Sequence, residues 1–139
     1  MRTFFVTCAS GLLAALSVGV WSAEPVQAQR PTPTFTKDVL PILQRSCQSC
    51  HRPNTSAPMS LMTYQEVRPW VRAIRARVES RQMPPWHLDR SIGEYLDDPS
   101  LSDAQIATIA AWVEAGAPQG NPADAPKPLE FKPVDEWVY

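Results

Sequence analysis

From residue 35 onward, apolar positions recur with the period of a helix. Phe35, Val39, Ile42 and Leu43 share one face, and Asp38 falls in the first turn, where a carboxylate complements the helix dipole. The pattern predicts a first helix reaching about residues 49–51, because Pro53 disfavours helix at the residue before it. Pro41 fits this helix only if it lies near its start. Residues 52–62 read as a loop around Pro53, Asn54 and Pro58. A second helix is expected from Pro69, whose ring suits a first helical position, with Trp70, Val71, Ile74 and Val78 as its apolar stripe. Arg68, Arg72, Arg75 and Arg81 lie off that stripe and read as a solvated face. Gln82 to Arg90 is a loop built on Pro84-Pro85. The last helix carries the clearest end signals: Ser102 with Gln105 forms a capping box, and Gly116 supplies a left-handed stop. Ile106, Ile109, Ala110 and Val113 make its apolar face, with Trp112 beside it. No stretch alternates apolar and polar residues as a strand would.

The flanks differ from this middle. Of the 139 residues, 15 are proline and only 5 glycine, and most of the proline lies outside the helical patterns. Arg2 is the only charge before Glu24, and Phe4 to Trp21 is uncharged and mostly apolar. A basic start, an apolar run and then small residues describe an export signal. Val26-Gln27-Ala28 suits a cleavage site better than an end at Ala23, which would put Trp21 three residues back. An uncleaved membrane anchor is the alternative. Pro25, Pro31 and Pro33 mark a linker, and Pro118, Pro122, Pro126, Pro128 and Pro133 mark a tail. The expected organisation is therefore a signal at 1–28, a linker at 29–34, one domain at 35–118 and a proline-rich tail at 119–139. That tail should be extended and mobile, although Phe131, Val134, Trp137, Val138 and Tyr139 give its end an apolar character that calls for a covering surface.

A net charge of −1, from 13 basic and 14 acidic side chains, provides no field for nucleic acid. The fold class expected is all-α and small. A unit of this size needs a staple or a prosthetic group to complete its core.

Cysteine supplies the candidate chemistry. Of three cysteines, Cys8 lies in the expected signal, and Cys47 and Cys50 sit in Cys47-Gln48-Ser49-Cys50-His51. On a helix these three residues fall at i, i+3 and i+4, one contiguous face. Two thiols can then add to two vinyl groups of a haem while the imidazole reaches its iron, the pattern of c-type haem attachment. A zinc site would need a fourth ligand, and His87 is the only other histidine. A thioredoxin-type pair should follow a strand, and a Cys47–Cys50 disulfide would leave His51 without a role. For the sixth position the candidates are Met59, Met62, Met83 and His87. Met83 is favoured, since Pro84-Pro85 holds its segment extended and free of helix bonds. Leu61-Met62 reads as core packing, His87 is the second candidate, and an open position is the third.

Phe35-Thr-Lys-Asp-Val-Leu-Pro-Ile-Leu leading to Cys47-x-x-Cys50-His51, then Met83-Pro-Pro-Trp86, then the capped helix to Gly116, resembles a monohaem c-type cytochrome domain over residues 35–118. With His87 and Ala115-Gly-Ala-Pro118, it is similar more narrowly to the cytochrome domains that accompany copper type II ascorbate-dependent monooxygenase-like domains. The resemblance implies a small cytochrome c-like helical domain wrapped around one covalently attached haem, with first and last helices crossing beside it through Val39/Leu43 and Ile106/Ile109. It implies Cys47 and Cys50 as attachment points, His51 and Met83 as iron ligands, and single-electron transfer in the periplasm without enzymatic activity. Redox proteins are the partners it implies. Delivery of electrons to a monooxygenase-like oxidoreductase is an alternative, and a gas-binding or catalytic haem protein is a further one.

Overall fold

A computed structural model describes residues 31–85, 88, 89 and 91–132. The expected signal, Trp86, His87 and the aromatic end at Trp137 and Tyr139 lie outside them. Every regular element among the described residues is helical: α1 (Leu40–Ser46), α2 (Tyr64–Val67), α3 (Val71–Glu79) and α4 (Asp103–Glu114), with no strand. None of the helices is long and apolar enough to cross a membrane.

The first helix opens on a wide turn. Phe35–Val39 form a π turn, closed by the Leu40 N–H donating to the Phe35 carbonyl five residues back. Pro41 sits in the first two positions of α1. Widening the turn before it is how the chain accommodates a residue with no N–H and a ring that crowds the carbonyl four back. Asp38 reaches back across the turn, its Oδ2 accepting from the Thr34 N–H at 2.7 Å. At its other end α1 stops at Ser46, earlier than the periodicity predicts, because Cys47 leaves helical geometry at φ −128°.

The second helical stretch starts a turn earlier than Pro69. Thr63 and Glu66 form a reciprocal capping box on α2, and Pro69 falls within a 3-10 turn at Arg68–Trp70 that leads into α3. Val71, Ile74 and Val78 are buried as expected, but Trp70 is 43% exposed. It keeps the face it shares with Ile74 and Val78, and all three line one open cleft. Arg75 pairs with Glu79 at 2.8 Å and Arg81 with Asp103, so that face is solvated and locally paired.

Ser102 and Gln105 cap α4 reciprocally. Its far end is a Schellman turn: the Gly116 N–H donates to Val113 at 3.1 Å, and the Ala117 N–H to Trp112 at 2.9 Å. Trp112 is not beside the apolar face but at its centre, fully buried with Ile109, while Ile106 and Val113 are partly buried. Phe35 meets Tyr64 edge to face at 5.4 Å and Trp112 at 6.1 Å, so three aromatic rings anchor the core. Two carbonyls just past α4 join the pieces. The Pro118 oxygen accepts from the Phe35 N–H and from Trp112 Nε1, both at 2.9 Å, and the Ala117 oxygen accepts from the Tyr64 hydroxyl at 2.9 Å. α4 thus packs against α3 and the Phe35–Val39 turn.

Gly120 is required where the chain leaves this junction. Its φ is +83°, and a Cβ there would meet the Thr34 Cβ and the Thr36 Oγ1 at 2.6 Å. Gly116 has φ +86° but open space around it. We expect Gly120→Ala to lower stability by about 2–3 kcal/mol, strain plus clash, and Gly116→Ala by only about 1 kcal/mol. Thermal melts of the two variants check this; equal losses would show that the clash is relieved by threonine rotation.

Candidate functional site

The motif lies on a turn continuing from α1. Cys47 N–H donates to Leu43 at 2.8 Å, and Gln48 N–H donates to the same carbonyl at 2.9 Å, a wide five-residue step. That step swings Gln48 inward, where it is buried. Cys50 and His51 N–H groups then both donate to the Cys47 carbonyl, at 3.1 and 2.8 Å. The spacing expected of a helical turn is therefore kept although α1 itself has ended. Thr55 Oγ1 closes the turn by donating to the Arg52 carbonyl at 2.6 Å and to the Cys50 carbonyl.

His51 is held at both its backbone and its ring. The Leu61 N–H donates to the His51 carbonyl at 2.9 Å, and Gln48 Nε2 donates to the Leu61 carbonyl at 2.9 Å. The ring Nδ1 is 3.2 Å from the Met59 carbonyl. A carbonyl only accepts, so Nδ1 carries the proton and Nε2 keeps its lone pair for a ligand. Fixing one ring nitrogen in this way orients a histidine ligand and sets its tautomer.

A cleft of about 270 Å³ opens between this turn and α3. Cys47, His51, Met59 and Leu61 form one part of its lining, and Trp70, Ile74, Val78 and Met83 another. The lining is almost wholly apolar. Arg77 is the one charged side chain in the described lining, and its Nη1 donates to Gln82 Oε1. An apolar ligand suits such a space, which approaches the ~300–1,000 Å³ usual for ligand sites. Met83 is 39% exposed and held by its N–H donating to the Arg77 carbonyl at 3.2 Å. Met59 lines the cleft too, but its carbonyl occupies the Nδ1 side of His51. Met62 is not in the lining.

Of the four expected site residues the cleft gathers Cys47, His51 and Met83, whereas Cys50 is exposed and outside the lining, so the three motif residues do not present one common face to the cleft. Burial pushes the Cys47 thiol up to about 12, against the attraction of Arg45 and with a smaller push from Cys50. At neutral pH this thiol is protonated, the opposite of the low-pKa thiolate that serves as a redox nucleophile. Among the described residues no three His, Cys, Asp or Glu side chains are grouped to hold a metal ion. The donors at the cleft are instead one imidazole, the protonated Cys47 thiol and the thioether sulfurs of Met59 and Met83.

Two contributors escaped the sequence reading. Gln48, an unspecified position of the motif, locks the 52–62 loop to the turn; nothing in the helical period of the sequence signals the wide step that buries it. Arg45 ties α1 to the entry of α4, donating to Ser100 O at 2.8 Å, to Gln105 Oε1 at 3.0 Å and to Asp98 O at 3.1 Å. Comparisons with protein-family models, with curated proteins and with solved structures returned no match.

Proposed function

We propose that this chain is an exported monohaem c-type cytochrome domain that passes single electrons between redox proteins. The observation that carries this reading is the apolar cleft in which a motif cysteine, a histidine with a free Nε2 and a methionine share one lining. Those residues fit a covalently attached haem. Cys47 would hold it by a thioether bond from the cleft wall and Cys50 by a second from the exposed end of the turn, His51 Nε2 and Met83 Sδ would be offered to its iron, and Arg77 would offer a cation to its carboxylates. Bound there, the haem supplies a one-electron iron couple whose potential rises with burial and a thioether ligand.

The chain's own groups do the rest. The Met59 carbonyl keeps the His51 proton on Nδ1. Leu61, Ile74 and Val78 exclude water from the cleft, which disfavours the more highly charged ferric form. With an imidazole and a thioether both offered to the iron, no position would remain for a substrate, which favours electron transfer over catalysis. The apolar run after Arg2 supports export, which in turn supports a periplasmic setting.

Spectra of the exported protein and of Met83→Ala test the assignment. We expect haem that survives acid–acetone extraction in both. The variant should lose the ferric sulfur–iron charge-transfer band, bind cyanide or imidazole readily and fall in potential. An unchanged Met83→Ala spectrum with a changed His87→Ala spectrum would move the ligand to His87. Ready imidazole binding by the unaltered protein would favour the open-position reading.

A further inference from the structure

The expectation of an untethered tail does not describe residues 119–132, which run beside the Phe35–Ser46 helical stretch and the turn that follows it, with contacts at three levels. At its start, Gln119 O accepts from the Thr36 N–H at 3.0 Å and from Thr36 Oγ1 at 3.1 Å. Midway, Lys127 O accepts from Gln44 Nε2 at 2.9 Å. At its end, the Phe131 ring lies 4.5 Å from the Arg52 guanidinium. The partners rise in step, Thr36, Gln44 and Arg52 against Gln119, Lys127 and Phe131, so the segment is parallel to α1. Its 3-10 turn at Pro122–Asp124, capped by Asn121 Oδ1 accepting from the Ala123 N–H at 3.0 Å, takes up spare length. Proline-rich chain needs no strand or helix bonds of its own, so its carbonyls are free to accept from side chains.

The last contact matters because of what Arg52 does. It follows His51 directly, and its Nε donates to the Ser49 carbonyl at 3.2 Å. One side chain therefore spans from the tail to the middle of the Cys47–His51 turn. We propose that residues 119–132 form a strap, and that Phe131, acting through Arg52, is a positioning residue for His51. The ring covers the cationic plane, fixes the Arg52 rotamer and so keeps the turn closed on the Ser49 carbonyl. The strap stands on contacts in the protein alone; its effect on iron ligation rests on the haem reading above.

Hydrogen exchange separates the two. In full-length Phe131→Ala we expect the His51 and Leu61 amides, whose bonds close the turn, to exchange about two- to fivefold faster, the factor carried by one cation–π contact at a solvent-accessible site. Amides in the middle of α4 should be unchanged, and Phe131→Tyr should restore the original rates. Arg52→Leu should give the same acceleration, with no addition in the double variant. If the unaltered protein carries haem, Phe131→Ala should also shift its midpoint potential and weaken resistance to imidazole, with Phe131→Tyr again restoring both. Unaltered exchange at His51 and Leu61, or additive effects of the two substitutions, would overturn the strap. Absence of haem in the unaltered protein would overturn the haem reading and leave the exchange result to decide the strap.

Discussion

Exported with both Cys47 and Cys50 replaced by serine, the protein should carry no haem that survives acid–acetone extraction and should be cut rapidly by proteases. Without the thioether bonds a bound group is held only by its ligands and by the cleft walls. Trp70 and Met83 in those walls stand exposed while Ile74 and Val78 behind them are buried in the core, so without a bound group the apolar surface next to α3 is left to water. Apolar surface left wet forfeits about 25 cal/mol for each Å², and a helical unit of this length has little to spare. Anything that binds the folded but not the unfolded chain stabilises by mass action, and a covalent link makes that gain permanent. Single replacements should retain one thioether and show intermediate protease resistance. A haem-free double variant that melted cooperatively near the temperature of the unaltered protein would show that no prosthetic group completes this core.

Trp112→Ala should be the most damaging substitution that leaves the motif intact, costing about 3–5 kcal/mol. The indole is fully buried, packs on Phe35 and gives its N–H to Pro118. Its loss removes a large apolar body and leaves a carbonyl with one donor where it had two. Trp112→Phe keeps most of the body and forfeits the hydrogen bond, so about 1–2 kcal/mol is expected. In a domain of this size each kcal/mol lowers the melting temperature by roughly 4–8 °C, so a thermal scan distinguishes the two variants from each other and from the unaltered protein. Equal melting temperatures for Trp112→Ala and Trp112→Phe would show that the indole body contributes little.

What could be read in advance was local. Ser102, Gln105 and Gly116 bound α4 because caps and stops depend on residues three or four apart, and the buried Val71, Ile74 and Val78 follow from period alone. Thr63 and Glu66 carry the same kind of signal for α2, but a loop reading that ran to residue 62 left their helix to begin at Pro69. Gln48 is buried for a different reason: it follows a turn wider than 3.6 residues, which a fixed period does not register. The strap is illegible because Gln119, Lys127 and Phe131 meet their partners across some eighty residues, the first two through backbone carbonyls that have no sequence identity. At the site, Cys47 and His51 were legible as a motif, and Met83 through its proline neighbours. The Met59 carbonyl that sets the His51 tautomer was not, since any residue at that position would offer the same oxygen.

The doubly used oxygen of Pro118 makes the helical unit behave as a closed ring. The chain enters at Phe35 and leaves at Pro118, and these two points are bonded to each other as well as to Trp112. Releasing the first turn takes the Phe35 donor from the Pro118 oxygen, and releasing the exit strands both the Phe35 amide and the indole N–H. Opening from the ends, the usual low-energy route into a small helical protein, is therefore tied to loss of the aromatic centre. Fraying at either end of the unit is thereby coupled to its aromatic centre.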